Sequence, residues 1–264
     1  YIEALKINKN FIPAVKNLID LLSFFNPKNE KFNPIIKVNK LLQNIKLQSN
    51  EEKKISDEEI STLYGKCKKL VDLEKIDVKY DKTQIYKGNK FSLNCDRHMG
   101  IFNKFNIIPE FCFGCYKIQA EPRNVLELFK LYFIFDKLKL ENNLARKCMV
   151  ELRPNISGTY KGLIYCSSIN EANRTKNILS YWVNKKINNS IPIQIKRGCS
   201  EYALKYPNYK KIYKNNKDMM KYNKIWRDKE KIYDSSVIKK IKSATSNENN
   251  LSGVTLDNLL VMNH

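Results

Sequence analysis

From Tyr116 to Arg197 the apolar period switches repeatedly between two and 3.6 residues, and the order of those switches limits the fold more than any other feature. Tyr116-Lys117-Ile118-Gln119-Ala120 alternates as a strand. Pro122 then stands where a first helical turn accepts proline, and Val125, Leu128, Phe129, Tyr132 and Phe135 make one apolar helical face. Cys148-Met149-Val150-Glu151-Leu152 and Leu163-Ile164-Tyr165-Cys166 read as the second and third strands, joined across residues 154–162. Ser168 and Glu171 form a capping box for a helix with Ala172, Thr175, Leu179, Trp182 and Val183 on one side, and Ile191-Pro192-Ile193-Gln194-Ile195 is the fourth strand. The order β-α-β-β-α-β predicts an antiparallel sheet in spatial order 4-1-3-2 with both helices on one face.

That order is the ferredoxin-like plan of two split βαβ units, and it places the chain in the α+β class without choosing a function. Residues 1–75, by contrast, read as helices only. Ile35, Val38, Leu41, Leu42 and Ile45 recur at helical spacing, as do Ile60, Leu63, Tyr64, Cys67, Leu70 and Val71 after the capping box Ser56-x-x-Glu59. Tyr1-x-x-Ala4-Leu5-x-Ile7-Asn8 followed by Ala14-x-x-Asn17-Leu18 resembles the junction between two tetratricopeptide repeats, over residues 1–24. Lys9 replaces the usual proline there and Ile19 the usual small residue. The resemblance implies a segment that grips peptides, with further repeats expected before Tyr1. Lys87-Gly88-Asn89-Lys90 predicts a turn between Ile85-Tyr86 and Phe91-Ser92-Leu93. The expected organisation is a helical segment over 1–75, an α+β domain over 76–204 and a basic aromatic tail over 205–264.

The most specific chemical pattern is Cys95-x-x-His98 followed, thirteen residues later, by Cys112-x-x-Cys115. Two such tight turns can close a tetrahedron of thiolates and imidazole, which is what a structural Zn²⁺ accepts. The spacing therefore predicts a zinc knuckle that stabilises residues 90–120. Four protein ligands leave no open position, so a structural metal is expected over a catalytic one.

Charge is the other strong feature. The chain of 264 residues carries 48 Lys+Arg against 27 Asp+Glu, a net +21. Such a field attracts nucleic acid, an anionic surface or an acidic partner, although the abundance of Lys, Asn, Ile and Tyr is also what AT-rich coding produces. Residues 205–242 hold 13 Lys+Arg against 4 Asp+Glu, interleaved with Tyr206, Tyr209, Tyr213, Tyr222, Trp226 and Tyr233. That interleaving suits base stacking with phosphate neutralisation, and it suits equally a tail that buries its rings and leaves its lysines in water. Residues 243–250 read as a polar, flexible stretch. Tyr160-Lys161-Gly162-Leu163-Ile164-Tyr165-Cys166 is similar to the third-strand signature of RNA-recognition motifs, with Leu163 at one aromatic position. If Tyr116 and Ile118 face inward, the sheet offers Lys117, Lys161, Tyr165 and Lys196 to an anion, with Arg153 in the adjoining loop. Cys199 reads as a structural thiol, for want of a histidine to act as its base.

Several classes are excluded by what is missing. With 8 glycines no GxGxxG or GxxxxGK[ST] can be written, and no apolar run reaches the length of a membrane span. No secretory signal opens the chain, and its seven cysteines predict a reducing, cytoplasmic setting. The sequence thus points first to an accessory or scaffold protein that binds a protein or peptide and carries structural zinc. A basic RNA-binding module comes second. An enzyme on an anionic substrate, fused to tetratricopeptide repeats, comes third.

Overall fold

Several helix starts are marked by a side chain that takes up free backbone N–H groups or by proline. Pro13 and Pro34 stand in the first turns of α2 (Ile12–Leu22) and α3 (Pro34–Gln43), which follow α1 (Ile2–Ile7). Ser56 and Glu59 close a reciprocal capping box on α4 (Asp57–Leu73). Asn124 accepts from Glu127 N at the start of α7 (Val125–Lys137), and Ser168 from Glu171 N at the start of α8 (Ile169–Lys186). The structure is a computed structural model that describes residues 1–27, 33–47, 53–76, 82–90, 93–154, 156–212, 218–237, 248–249 and 251–262. Phe91, Ser92, Asn155, Tyr213 and, of the expected flexible stretch 243–250, all but residues 248–249 lie outside the described residues.

The strands are β1 (Gln84–Lys87), β2 (Asn89–Lys90), β3 (Tyr116–Ala120), β4 (Arg146–Val150), β5 (Tyr160–Cys166), β6 (Ile193–Arg197) and β7 (Glu248–Asn249). Between them lie α5 (Cys95–Phe105), the short α6 (Glu110–Phe113), a 3₁₀ turn at Ser200–Leu204, α9 (Trp226–Val237) and, last, α10 (Leu256–Met262). Five strands form one antiparallel sheet in the order β1-β4-β5-β3-β6, while β2 pairs separately with β7. The four strands expected between Tyr116 and Arg197 therefore lie in the expected order, and the molecule is α+β. The fifth strand is a difference. β1 adds to the edge of β4, Gln84 opposite Met149 and Lys87 opposite Arg146.

Alternation decides the two faces of the sheet. Tyr116, Ile118, Ala120, Cys148, Val150, Ile164 and Cys166 enter one apolar core with α7 and α8. That core continues without a break into Leu18, Ile19, Leu22, Ile36, Val38, Leu42, Ile60 and Cys67 of the N-terminal helices. It also takes in Val254, Leu256, Leu259, Leu260, Val261 and Met262 near the C-terminus. The aromatic tail lies back on the molecule: Tyr202 and Tyr209 are buried with Cys112 and Ile108, and Phe113 meets Tyr209, Tyr222 and Trp226 ring to ring.

Candidate functional site

The face of the sheet turned away from α7 and α8 carries the polar half of each strand. In β3, Lys117 and Gln119 point there, opposite Tyr165 and Leu163 of β5 and Lys196 and Gln194 of β6. In β4 it is Lys147 and Met149, opposite Leu163 and Lys161 on one side and Tyr86 and Gln84 on the other. The start of α5, the loop after β4 and the turn after β6 rise around this surface and leave an open cavity of about 520 Å³. Its lining includes Lys117, Lys147, Lys161, Lys196, Arg153, Tyr165, Gln119, Cys95 and Cys199. All five residues expected to bind an anion (Lys117, Arg153, Lys161, Tyr165 and Lys196) thus border one space.

The cations of the cavity are not equivalent. Arg153 is held by Glu151 at 2.9 Å and Glu201 at 2.7 Å. Lys161, itself only 4 % exposed, shares Glu151 at 3.5 Å. Hydrogen bonding from Arg153 pulls the Glu151 carboxyl down to about 2, so it is ionised throughout the neutral range. Lys196 lies 3.8 Å from Glu121, and its pKa is lowered because burial outweighs that carboxylate.

Among the described residues, no carboxylate lies within ion-pair reach of Lys117 or Lys147. Lys117 Nζ lies 3.4 Å from Cys199 Sγ and 5.6 Å from the centre of the Tyr165 ring. Burial opposes its charge, and Cys199, Cys115 and Cys95 outweigh burial to raise its pKa. Lys147 Nζ donates to Gln84 Oε1 at 2.8 Å and lies 5.5 Å from the Tyr86 ring and 5.9 Å from the Tyr165 ring. Burial, and then the neighbouring Lys117, lower its pKa to about 8.

The zinc expectation is corrected by this geometry. Among the described residues no group of three or more His, Cys, Asp or Glu side chains is placed to hold a metal ion. Asn94, in the left-handed region at φ 49°, turns the chain into α5, so Cys95 and His98 occupy the first turn of a helix instead of a knuckle. Cys95 borders the sheet cavity, while His98 stacks on Phe111 with ring centres 5.0 Å apart. Cys112 is buried with its Sγ 3.3 Å from the Tyr202 hydroxyl. Burial raises the thiols of Cys112 and Cys115 to about 12 and about 11.

Tyr165 borders the cavity but is 8 % exposed, so its ring is not free to stack on a base. The Lys-Gly pair of the recognition-motif likeness has a packing cause as well. A Cβ at Gly162 would lie 2.3 Å from Leu131 Cδ2, which shows how closely α7 approaches β5.

Sequence reasoning missed Lys147, Gln84 and Glu151. Starting the second strand at Cys148 hid Lys147, although the same alternation that turns Cys148 and Val150 inward turns Lys147 and Met149 outward. No protein-family model, curated protein or solved structure matches the chain.

Proposed function

We propose that this chain is an accessory ligand-binding protein whose open sheet face takes up a small anion, or the anionic end of a larger partner. The observation that carries this reading is the pair Lys117 and Lys147, which line the open cavity of about 520 Å³ without a carboxylate partner for either among the described residues. Two ammonium groups withdrawn from water and left without counterions make a site that a phosphate or carboxylate stabilises. Gln119 and Lys196 extend the donor set beside them. The cavity has the volume of a small-molecule site, in contrast to the open aromatic platform that single-stranded RNA requires. The tetratricopeptide-like residues 1–24 support a second contact surface for a peptide, built where α1 and α2 pack and Ala14 is buried.

Titration calorimetry with inorganic pyrophosphate tests the reading. Saturable one-site binding is expected, weakened at least tenfold by Lys117→Met with the thermal midpoint of the free protein retained. Heats that never saturate, or an affinity indifferent to Lys117→Met, would remove the site.

A further inference from the structure

Lys147 differs from every other cation of the cavity in what surrounds it. The side chain is 9 % exposed, and its ammonium finds a neutral amide oxygen, two aromatic rings and the second cation Lys117. The ionisable groups that face it are Lys117 on β3, Tyr86 on β1, Tyr165 on β5, Cys95 on α5, Cys199 after β6 and Glu151 after β4. Of these only Glu151 is a carboxylate, and it is engaged by Arg153 and Lys161. A buried lysine beside another cation loses its proton more readily than a surface lysine, and the neutral amine is a nucleophile.

Resting on the anion-binding reading, we propose that Lys147 condenses with a small carbonyl compound carrying a carboxylate or phosphate, with Lys117 holding that anionic group, so that the cavity is an imine-forming catalytic site. The lone pair of Lys147 Nζ forms a bond to the carbonyl carbon while the carbonyl π pair moves onto oxygen. Both amine protons end on that oxygen, which leaves as water, and a carbon–nitrogen double bond remains. No oxidant or metal enters the step. Once protonated from solvent, such an imine draws electrons from the adjacent carbon, which is the chemistry of carbon–carbon bond cleavage and of proton abstraction beside a carbonyl.

The selectivity follows from the pKa of about 8. At pH 7 roughly 10 % of such an amine is neutral, against roughly 0.04 % of a surface lysine with a pKa near 10.4. That is an advantage on the order of a hundredfold over the many exposed lysines.

The experiment exposes the full chain at pH 7 to limiting glyoxylate, a carboxylate-bearing aldehyde, or in a parallel arm to glyceraldehyde 3-phosphate. Cyanoborohydride traps the imine and peptide mass mapping locates it. Labelling is expected to concentrate on Lys147, to level off above about pH 8 and to fall at least tenfold under saturating pyrophosphate. The better-captured probe identifies the carboxylate or the phosphate class. Lys147→Arg is expected to abolish the adduct while leaving the thermal midpoint in place. Adducts spread over surface lysines in proportion to exposure, with pyrophosphate still bound, overturn the imine chemistry alone. Loss of pyrophosphate binding from the unmodified chain overturns the underlying site as well.

Discussion

At the scale of single residues, identity misleads where it is read without burial. Cys95, His98, Cys112 and Cys115 carry ligand spacing, yet each is claimed by a different local need: a helix start, a ring stack, a buried thiol and a strand entry. His98 shows what that means energetically. Burial, reinforced by the adjacent Arg97, lowers its pKa from 6.5 to about 4, so the folded protein holds it neutral where the unfolded chain protonates it. The stabilising preference is fully present above pH 6.5 and is lost as pH falls through the folded value. Thermal stability is therefore expected to decline between pH 6.5 and 4, by at most about 3 kcal/mol from this group. His98→Phe, which keeps the stack on Phe111, flattens that part of the curve. An unchanged slope in calorimetric scans across that range would assign the acid loss to other groups. The shared face of the residues expected to bind an anion was legible because period-two alternation alone puts Lys117, Lys161, Tyr165 and Lys196 on one side of the sheet. What alternation does not carry is pairing. The neutralisation of Arg153 by Glu151 and Glu201 depends on a loop and a turn whose approach no local pattern encodes.

Among the elements, strand order was legible and the sheet edge was not. The two helix–strand alternations from Tyr116 to Arg197 fix how β3, β4, β5 and β6 must connect, because antiparallel neighbours joined by short links leave few arrangements. β1 escaped because its partner β4 lies about sixty residues away in sequence and because Lys87 reads as a turn-flanking surface residue. In the fold that ammonium is 2 % exposed, 3.2 Å from Asp136 and hydrogen-bonded to the Leu251 and Gly253 carbonyls. The contact between α7 and β5 gives a prediction at this scale. Leu131 is fully buried against Gly162, so a methyl group added there has no room unless the helix shifts. Gly162→Ala is expected to cost about 1–3 kcal/mol by overpacking, and Leu131→Ala about 2–5 kcal/mol by cavity formation. Combined, the two should cost less than their sum, because each relieves the defect of the other. Strict additivity in urea unfolding would show that α7 and β5 do not meet as tightly as the geometry has them.

For the whole molecule, residues 251–262 join parts that the sequence reads as separate. Leu256, Leu259, Leu260, Val261 and Met262 insert into the core shared by the N-terminal helices and the sheet. Polar bonds fix the segment at both sides. Asn39 Oδ1 accepts from Leu256 N at 2.8 Å, Asn258 Oδ1 accepts from the Tyr132 hydroxyl at 2.6 Å, and Lys82 pairs with both Asp20 and Asp257. With the core continuous across this strap, the helices of residues 1–75 and the sheet are expected to unfold in one cooperative transition, coincident by circular dichroism and tryptophan fluorescence. Asn258→Ala leaves Thr255 N short of an acceptor and leaves the buried Tyr132 hydroxyl with the Gly253 carbonyl alone, and is expected to cost about 1–3 kcal/mol without splitting the transition. Ending the chain at residue 250 goes further, because it strips apolar side chains from three packed elements at once. That truncated protein is expected to separate into two transitions, with α2 and α3 losing amide protection in hydrogen exchange before the sheet does. If it instead keeps a single transition at the original midpoint, the helices and the sheet are coupled through other contacts, among them those of α4 with α7 and of Ile55 with α8, and the C-terminal strap carries no share of that coupling.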